Sequence, residues 1–230
     1  MAIVIPAAVP ATTFDSMTAD VAPFVPGCPT AIISATLRKV AIDLCDRAKV
    51  WRTALMPTTA VAGTYNYALV APVANTEVSA ILYANAYLTT AATTKPMDVT
   101  TGEVMFLSHP DWPNTAAPGE PQTLFNTDDQ TINVFPVPDA ADTYTLNIFA
   151  AIRPTHLSTG ISTAVSNQYR RELFHGTLHE LMLIPDRVWT DPEKSLYHGK
   201  QWTYLLNAAR ARANKGFGRA SINVVPRPWA

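Results

Sequence analysis

Between Ile33 and Trp51 apolar residues recur at steps of three and four: Ile33, Leu37, Val40, Ala41, Leu44, Ala48 and Trp51. That spacing lines one side of an α-helix, and Arg38, Lys39, Asp43, Asp46, Arg47 and Lys49 occupy the rest of its surface. Pro29 suits the first turn, where its missing N–H is not needed. Asp43 precedes Arg47 by four residues, the favourable orientation for a helical ion pair. Pro57 lies beyond the end.

From residue 58 to 155 the period shortens to two. Tyr65, Tyr67 and Leu69 alternate with Asn66 and Ala68, and residues 77–83 form a second candidate strand. A turn at Asp128-Asp129 leads into Thr131–Phe135, which Pro136 and Pro138 terminate. The clearest strand has Tyr144, Leu146, Ile148, Ala150 and Ile152 on one face and Thr143, Thr145 and Asn147 on the other, closing at Arg153-Pro154. Residues 108–121, with four prolines and Trp112, read as a long ordered loop.

Helical spacing then returns. Ser166 or Asn167 can cap a helix that Pro185 stops after Ile184, with Tyr169, Leu173, Leu181 and Ile184 as its apolar face. Thr190 and Glu193 have capping-box spacing, and Pro192 fits the first turn of a last helix running to about Lys215, where Gly216 can end it. Leu196, Tyr197, Tyr204, Leu205 and Ala208 are its expected core side, and Arg210, Arg212 and Lys215 complement its dipole.

The order of these elements sets the architecture. A lone early helix cannot bury its apolar stripe and needs the late helices, so the strands read as an insertion. The expected fold class is α+β: a discontinuous helical bundle (28–56 and 160–215) with an inserted antiparallel β-sandwich or small β-barrel (57–159). A proline-rich extended arm is expected at 1–27 and a second at 216–230. The second is too short for its own core, yet it carries Ile222, Val224 and Trp229, which suits a peptide that docks elsewhere.

Charge sharpens this reading. Residues 1–168 hold 7 Lys and Arg against 13 Asp and Glu, whereas residues 169–230 hold 10 against 5. From Leu196 onward there are six basic residues and no acidic one. An acidic body with a basic end favours a protein partner of matching charge pattern over nucleic acid. Cys28 and Cys45 fit no zinc spacing and are expected to be reduced thiols in a protein made in the cytoplasm. The apolar start lacks a basic region and is broken by Pro6 and Pro10, so it does not read as a signal peptide. No stretch approaches the roughly 18 apolar residues needed to span a bilayer.

Candidate chemistry is sparse. Glu172 and His175 make one E-x-x-H step where bundled carboxylate sites use two. His175 and His179 lie four apart without a third ligand in view. Asp128, Asp129, Asp139 and Asp142 could pair as glycosidase carboxylates, but turn-forming aspartate accounts for them equally. No nucleophile elbow or glycine-rich phosphate loop appears, and neither a cofactor nor a metal is expected.

Pro26-Gly27-Cys28-Pro29, the helix ending Leu44-Cys45-Asp46-Arg47-Ala48-Lys49-Val50-Trp51, the strands ending Val134-Phe135-Pro136-Val137-Pro138 and Arg153-Pro154, and the helix pair with Asp191-Pro192-Glu193, Tyr197 and Ala208-Ala209 occur in an order that resembles the head-to-tail connector proteins of tailed bacteriophages. The tail-tube adaptors of short-tailed phages are the nearest type, and the resemblance covers roughly residues 26–215. It implies a non-enzymatic virion protein of the neck or tail, made in the bacterial cytoplasm. It further implies a ring, usually of twelve copies, that binds the portal protein and a downstream tail or nozzle protein and extends the channel for double-stranded DNA; no membrane is involved. Gripping of the portal by a C-terminal segment maps onto Arg219, Ile222, Val224, Arg227 and Trp229. The competing readings are a virion cell-wall hydrolase using the paired acids and a DNA-binding module using the basic end.

Overall fold

The computed structural model describes residues 11–110, 112, 118–128, 130–139 and 143–215. Its fold class is α+β, with helices beside a mixed, curled sheet that forms a half-barrel. The C-terminal segment 216–230 and Gly216 as a helix end lie outside the described residues.

The early helix is α2 (Thr30–Ala48), preceded by Pro29 as N-cap and ended by Lys49 in the left-handed conformation (φ 52°). Its stripe is fully buried from Ile33 to Ala48. The late helices are α4 (Thr163–Gln168), α5 (Arg170–Met182) and α6 (Pro192–Asn214). Leu37 and Leu44 share one core with Tyr169, Leu173, Leu181, Trp202 and Leu206, so the early and late helices do bury each other. The helices come close at Gly176 on α5. A Cβ there would stand 2.6 Å from Val40 Cγ1 of α2 and 2.9 Å from Trp202 Cε3 of α6. Only a residue without a side chain lets the three helices meet at that distance.

Three helical details differ from expectation. Ser166 and Asn167 lie inside α4, which is separated from α5 by a break at Tyr169. The cap of α6 is Asp191, whose carboxylate accepts from Lys194 N at 3.0 Å; Thr190 instead donates its hydroxyl to the Ile184 carbonyl at 2.5 Å. Most consequential is the face of α6. Its buried residues are Ser195, His198, Trp202, Leu206, Ala209 and Ala213, whereas Leu196, Tyr197 and Tyr204 are exposed. Both faces carry apolar groups, and the one turned inward is the one whose small residues admit close neighbours.

Residues 11–27 are not an extended arm. They form β1 (Ala11–Thr13), α1 (Phe14–Val21) and a 3-10 turn at Ala22–Phe24. Thr13 caps α1 by accepting from Ser16 N at 3.2 Å. Phe14, Met17, Val21 and Val25 then enter the helical core at helical spacing, a stripe that outweighs the neighbouring prolines. β1 pairs antiparallel with β10 (Gly160–Ser162).

The large sheet has the order β2 (Arg52–Ala54), β9 (Tyr144–Pro154), β5 (Thr76–Leu88), β6 (Thr93–Thr101), β7 (Thr123–Asn126), β8 (Thr131–Phe135), β4 (Asn66–Ala68), with β3 (Thr58–Ala60) also on β9. Every pair is antiparallel except β6–β7, which is parallel and therefore needs the crossover that α3 (Gly102–Ser108) and the following loop supply. Register shifts in β5 at Val78/Ala80 and Ile81/Tyr83 bend it against β9. Leu124, Ile132, Val134, Leu146 and Ala150 fill the inside of the curl. Trp112, from the proline-rich loop, packs edge-on against Phe125 and Tyr65, both at 4.9 Å.

The joint between helices and sheet combines apolar contact through Ile152 with a polar cluster. Asp46 of α2 accepts from Ser79 Oγ at 2.6 Å and pairs with Arg153 of β9 at 3.2 Å, while Arg153 Nε reaches Glu77 at 2.7 Å. Burial alone would raise the Asp46 carboxyl, but the Ser79 hydroxyl, Lys49 and Arg153 outweigh it and hold it below its ordinary value.

Two substitutions test this packing. Gly176→Ala has no free volume to enter and is expected to lower stability by about 1–3 kcal/mol, read from thermal and urea unfolding. Leu206→Ala is expected to cost about 2–5 kcal/mol, whereas Tyr204→Ala in the isolated chain stays within about 0.5 kcal/mol. The reverse order of those two would restore the originally expected face of α6.

Candidate assembly surfaces

Asp128 closes the turn before β8. Its carboxylate accepts from Gln130 N at 2.7 Å, Thr131 N at 2.6 Å and Thr131 Oγ1 at 2.8 Å, and the Thr131 hydroxyl and the turn's amides hold it below the ordinary carboxylate range. It is spent on local backbone. Asp139 accepts from the Tyr144 hydroxyl at 2.7 Å, and Asp129 and Asp142 lie outside the described residues.

The histidines gather where α5 meets α6. His175 Nδ1 lies 2.8 Å from His198 Nδ1, so one ring donates and the other must accept as a neutral imidazole. His179 Nδ1 sits 3.0 Å from both the carbonyl and the hydroxyl oxygen of Ser195. Gly199 makes room for that ring, because a Cβ there would fall 2.8 Å from His179. Glu172 is buried nearby, and burial raises its carboxyl against the opposing pull of Arg212 and Arg171. Among the described residues no three His, Cys, Asp or Glu side chains converge to hold a metal ion. These groups join two helices; the E-x-x-H spacing had brought them to notice but could not show the partner His198.

Cys45 is fully buried in the helical core, where desolvation and the neighbouring Asp46 push its thiol up, and Cys28 is partly exposed; both are free. No described helix is long and apolar enough to cross a membrane.

The outer surface is where apolar groups stand unused. Leu196, Tyr197 and Tyr204 lie along the outward side of α6, with Tyr204 71% exposed. Lys200, Arg210 and Arg212 of α6 and Lys215 at its end are also exposed, Lys200 lying between Leu196 and Tyr204 on the same side of the helix. A second patch is the tip formed by α3, where Val104, Phe106 and Leu107 are exposed, Leu107 to 84%. Neither patch was anticipated as surface: the α6 residues were expected in the core, and α3 falls among polar residues with no long period. The five C-terminal residues expected to meet a partner, Arg219, Ile222, Val224, Arg227 and Trp229, lie outside the described residues.

The described acids bind turns, the histidines join two helices, and apolar side chains stand uncovered on the surface. Comparison by sequence supplies the family. A sequence model of the SU10 adaptor protein family matches residues 12–224, nearly the whole chain, and the chain belongs to that family. It is thereby a structural adaptor protein of a bacteriophage. No curated protein matches the chain significantly.

The histidine pair makes stability depend on pH. Desolvation comes first in lowering both His175 and His198; the neighbouring His198 and Arg171 add to it for His175, and His179 for His198. The folded chain therefore binds fewer protons than the unfolded one, and the stabilisation present above about pH 6.5 is lost as pH falls below it. The melting temperature is expected to drop between pH 7 and 5. Glu172, raised in the fold, contributes in the opposite sense from about pH 4.3 upward. His198→Gln should flatten the drop, which assigns it to the pair; an unchanged slope would remove the pair from the explanation.

Proposed function

We propose that this protein forms a ring between the portal and the tail of a bacteriophage virion, at the neck, and extends the channel through which double-stranded DNA passes. The observation that carries this reading is the match to an adaptor family over residues 12–224. The outward apolar side of α6 supports it, since Leu196, Tyr197 and Tyr204 give a neighbouring copy something to cover. Head-to-tail contacts of that kind close a ring when the rotation between copies divides the circle, and twelve copies is the number we assign. A modest contact repeated around the ring gives high avidity for the portal.

Within this reading the C-terminal segment grips the portal. Arg219 and Arg227 supply charge, and Ile222, Val224 and Trp229 supply the apolar anchors. The β half-barrel, with α3 and its exposed Leu107 at one tip, is assigned to the tail or nozzle protein.

Negative-stain microscopy of the chain mixed with its portal tests both parts. Rings capping the portal are expected with the full chain, and loss of attachment with a chain lacking residues 217–230. Attachment unchanged by the truncation would overturn the role of the segment, and absence of rings with the full chain would overturn the adaptor assignment.

A further inference from the structure

A groove of about 830 Å³ runs between the β1–β10 pair and the large sheet. Ala11 and residues 158–162 form one wall, residues 53–57 and 72–76 form others, and side chains of β5 and β9 lie along it. Tyr83 and Phe149 stack there with ring centroids 4.7 Å apart, and Tyr83 and Met56 are each more than half exposed. Trp51 and Val73 add to the apolar lining, and no charged residue contributes to it. Asn75, Asn85, Asn147 and several Ser and Thr residues complete the walls, and a concave, mostly apolar and uncharged surface with a few polar groups is the composition of a binding site.

We propose that residues 1–10 of the same chain occupy this groove. The described chain begins at Ala11, which itself lines the groove and is held there by pairing with Ser162. The ten residues before it therefore start at the rim. They are Met, Ala, Ile, Val and Pro only, without one charged or hydrogen-bonding side chain, which is the chemistry that the uncharged walls accept. A fully extended stretch of ten residues spans at most about 35 Å, and the sequence has Pro6 and Pro10, residues that disfavour helix. Tethering raises their effective concentration at the groove to the order of millimolar. The other terminal segment is a poorer complement, because Arg219 and Arg227 would find no carboxylate on these walls.

The backbone has a route as well. β2 is the end strand of the sheet's path, and Thr53 and Ala54 of β2 line the groove. An end strand offers an edge to which a further strand can add. In this arrangement Ile3, Ile5 and Val9 alternate toward the Tyr83–Phe149 side, covering what β5 and β9 leave bare.

Disulfide trapping in the isolated full-length chain tests the proposal, independently of any ring or portal. Ile5→Cys and Met56→Cys are combined in a Cys28→Ser background, with Cys45 left in the core, and oxidised with copper phenanthroline. A bond within one chain is expected in most molecules, seen as a reducible shift of the monomer band that neither single variant gives. No bond, or a bond only between two chains, overturns it; the latter would assign the groove to a second copy. Ile5→Cys with Tyr83→Cys repeats the measurement at another position. Deleting residues 1–10 is further expected to raise binding of an apolar fluorescent dye severalfold with the helical circular dichroism retained, and unchanged dye binding counts against it.

Discussion

The fold depends on how closely three helices approach one another at Gly176. Val40 of α2 and Trp202 of α6 meet across that residue at distances a methyl group would violate. The two helices that flank it are far apart in sequence, so their meeting joins the beginning of the chain to its end. The chain between α2 and α4 must leave the bundle and return to it, and the large sheet is built from that excursion.

Strand β9 carries the return. Its Tyr144 to Ala150 part faces the inside of the half-barrel, while Ile152 belongs to the helical core. The polar cluster of Asp46, Ser79, Arg153 and Glu77 sits at that crossing. Its members are partly exposed, so solvent screens them and each pair contributes little stability. What the cluster supplies is direction: charged hydrogen bonds have defined geometry, and apolar burial does not. Lys49, in the left-handed conformation that ends α2, belongs to the same cluster through Ser79 and Asp46.

Much of this was legible from spacing alone. The stripe from Ile33 to Ala48, the strand Thr131–Phe135 and the alternation from Tyr144 to Ile152 stand where the periods put them. Those segments have one apolar side, so period and burial agree. α1 was missed because prolines on either side hid a stripe of only three residues, Phe14, Met17 and Val21. α6 is apolar on two sides, and apolar area favours the rings of Tyr197 and Tyr204 over Ser195 and Ala213; close packing at Gly176 and Gly199 favours the other side, and that demand is invisible until α5 and α6 are side by side. β6 carries Thr, Lys, Asp and Pro at exposed positions and so has no period to read, and α3 is only seven residues long, too short to show one. His198 could not be paired with His175 from sequence, since their contact spans two helices.

The misread side of α6 bears on function. A long helix that needs only one apolar side for its own core has been given two. The second is costly for a solitary molecule, because exposed leucine and tyrosine invite nonspecific association. It ceases to be costly if another surface covers it in the working state. The same reasoning applies to Leu107 at the tip of α3, at the sheet end of the chain. Among the described residues these are two separate sets of uncovered apolar side chains, one on the helical part and one on the sheet part. A closed pair that hides one self-complementary face leaves the second bare, whereas a subunit placed between unlike neighbours uses both. The distribution of uncovered side chains is thus compatible with the proposed place between two unlike partners.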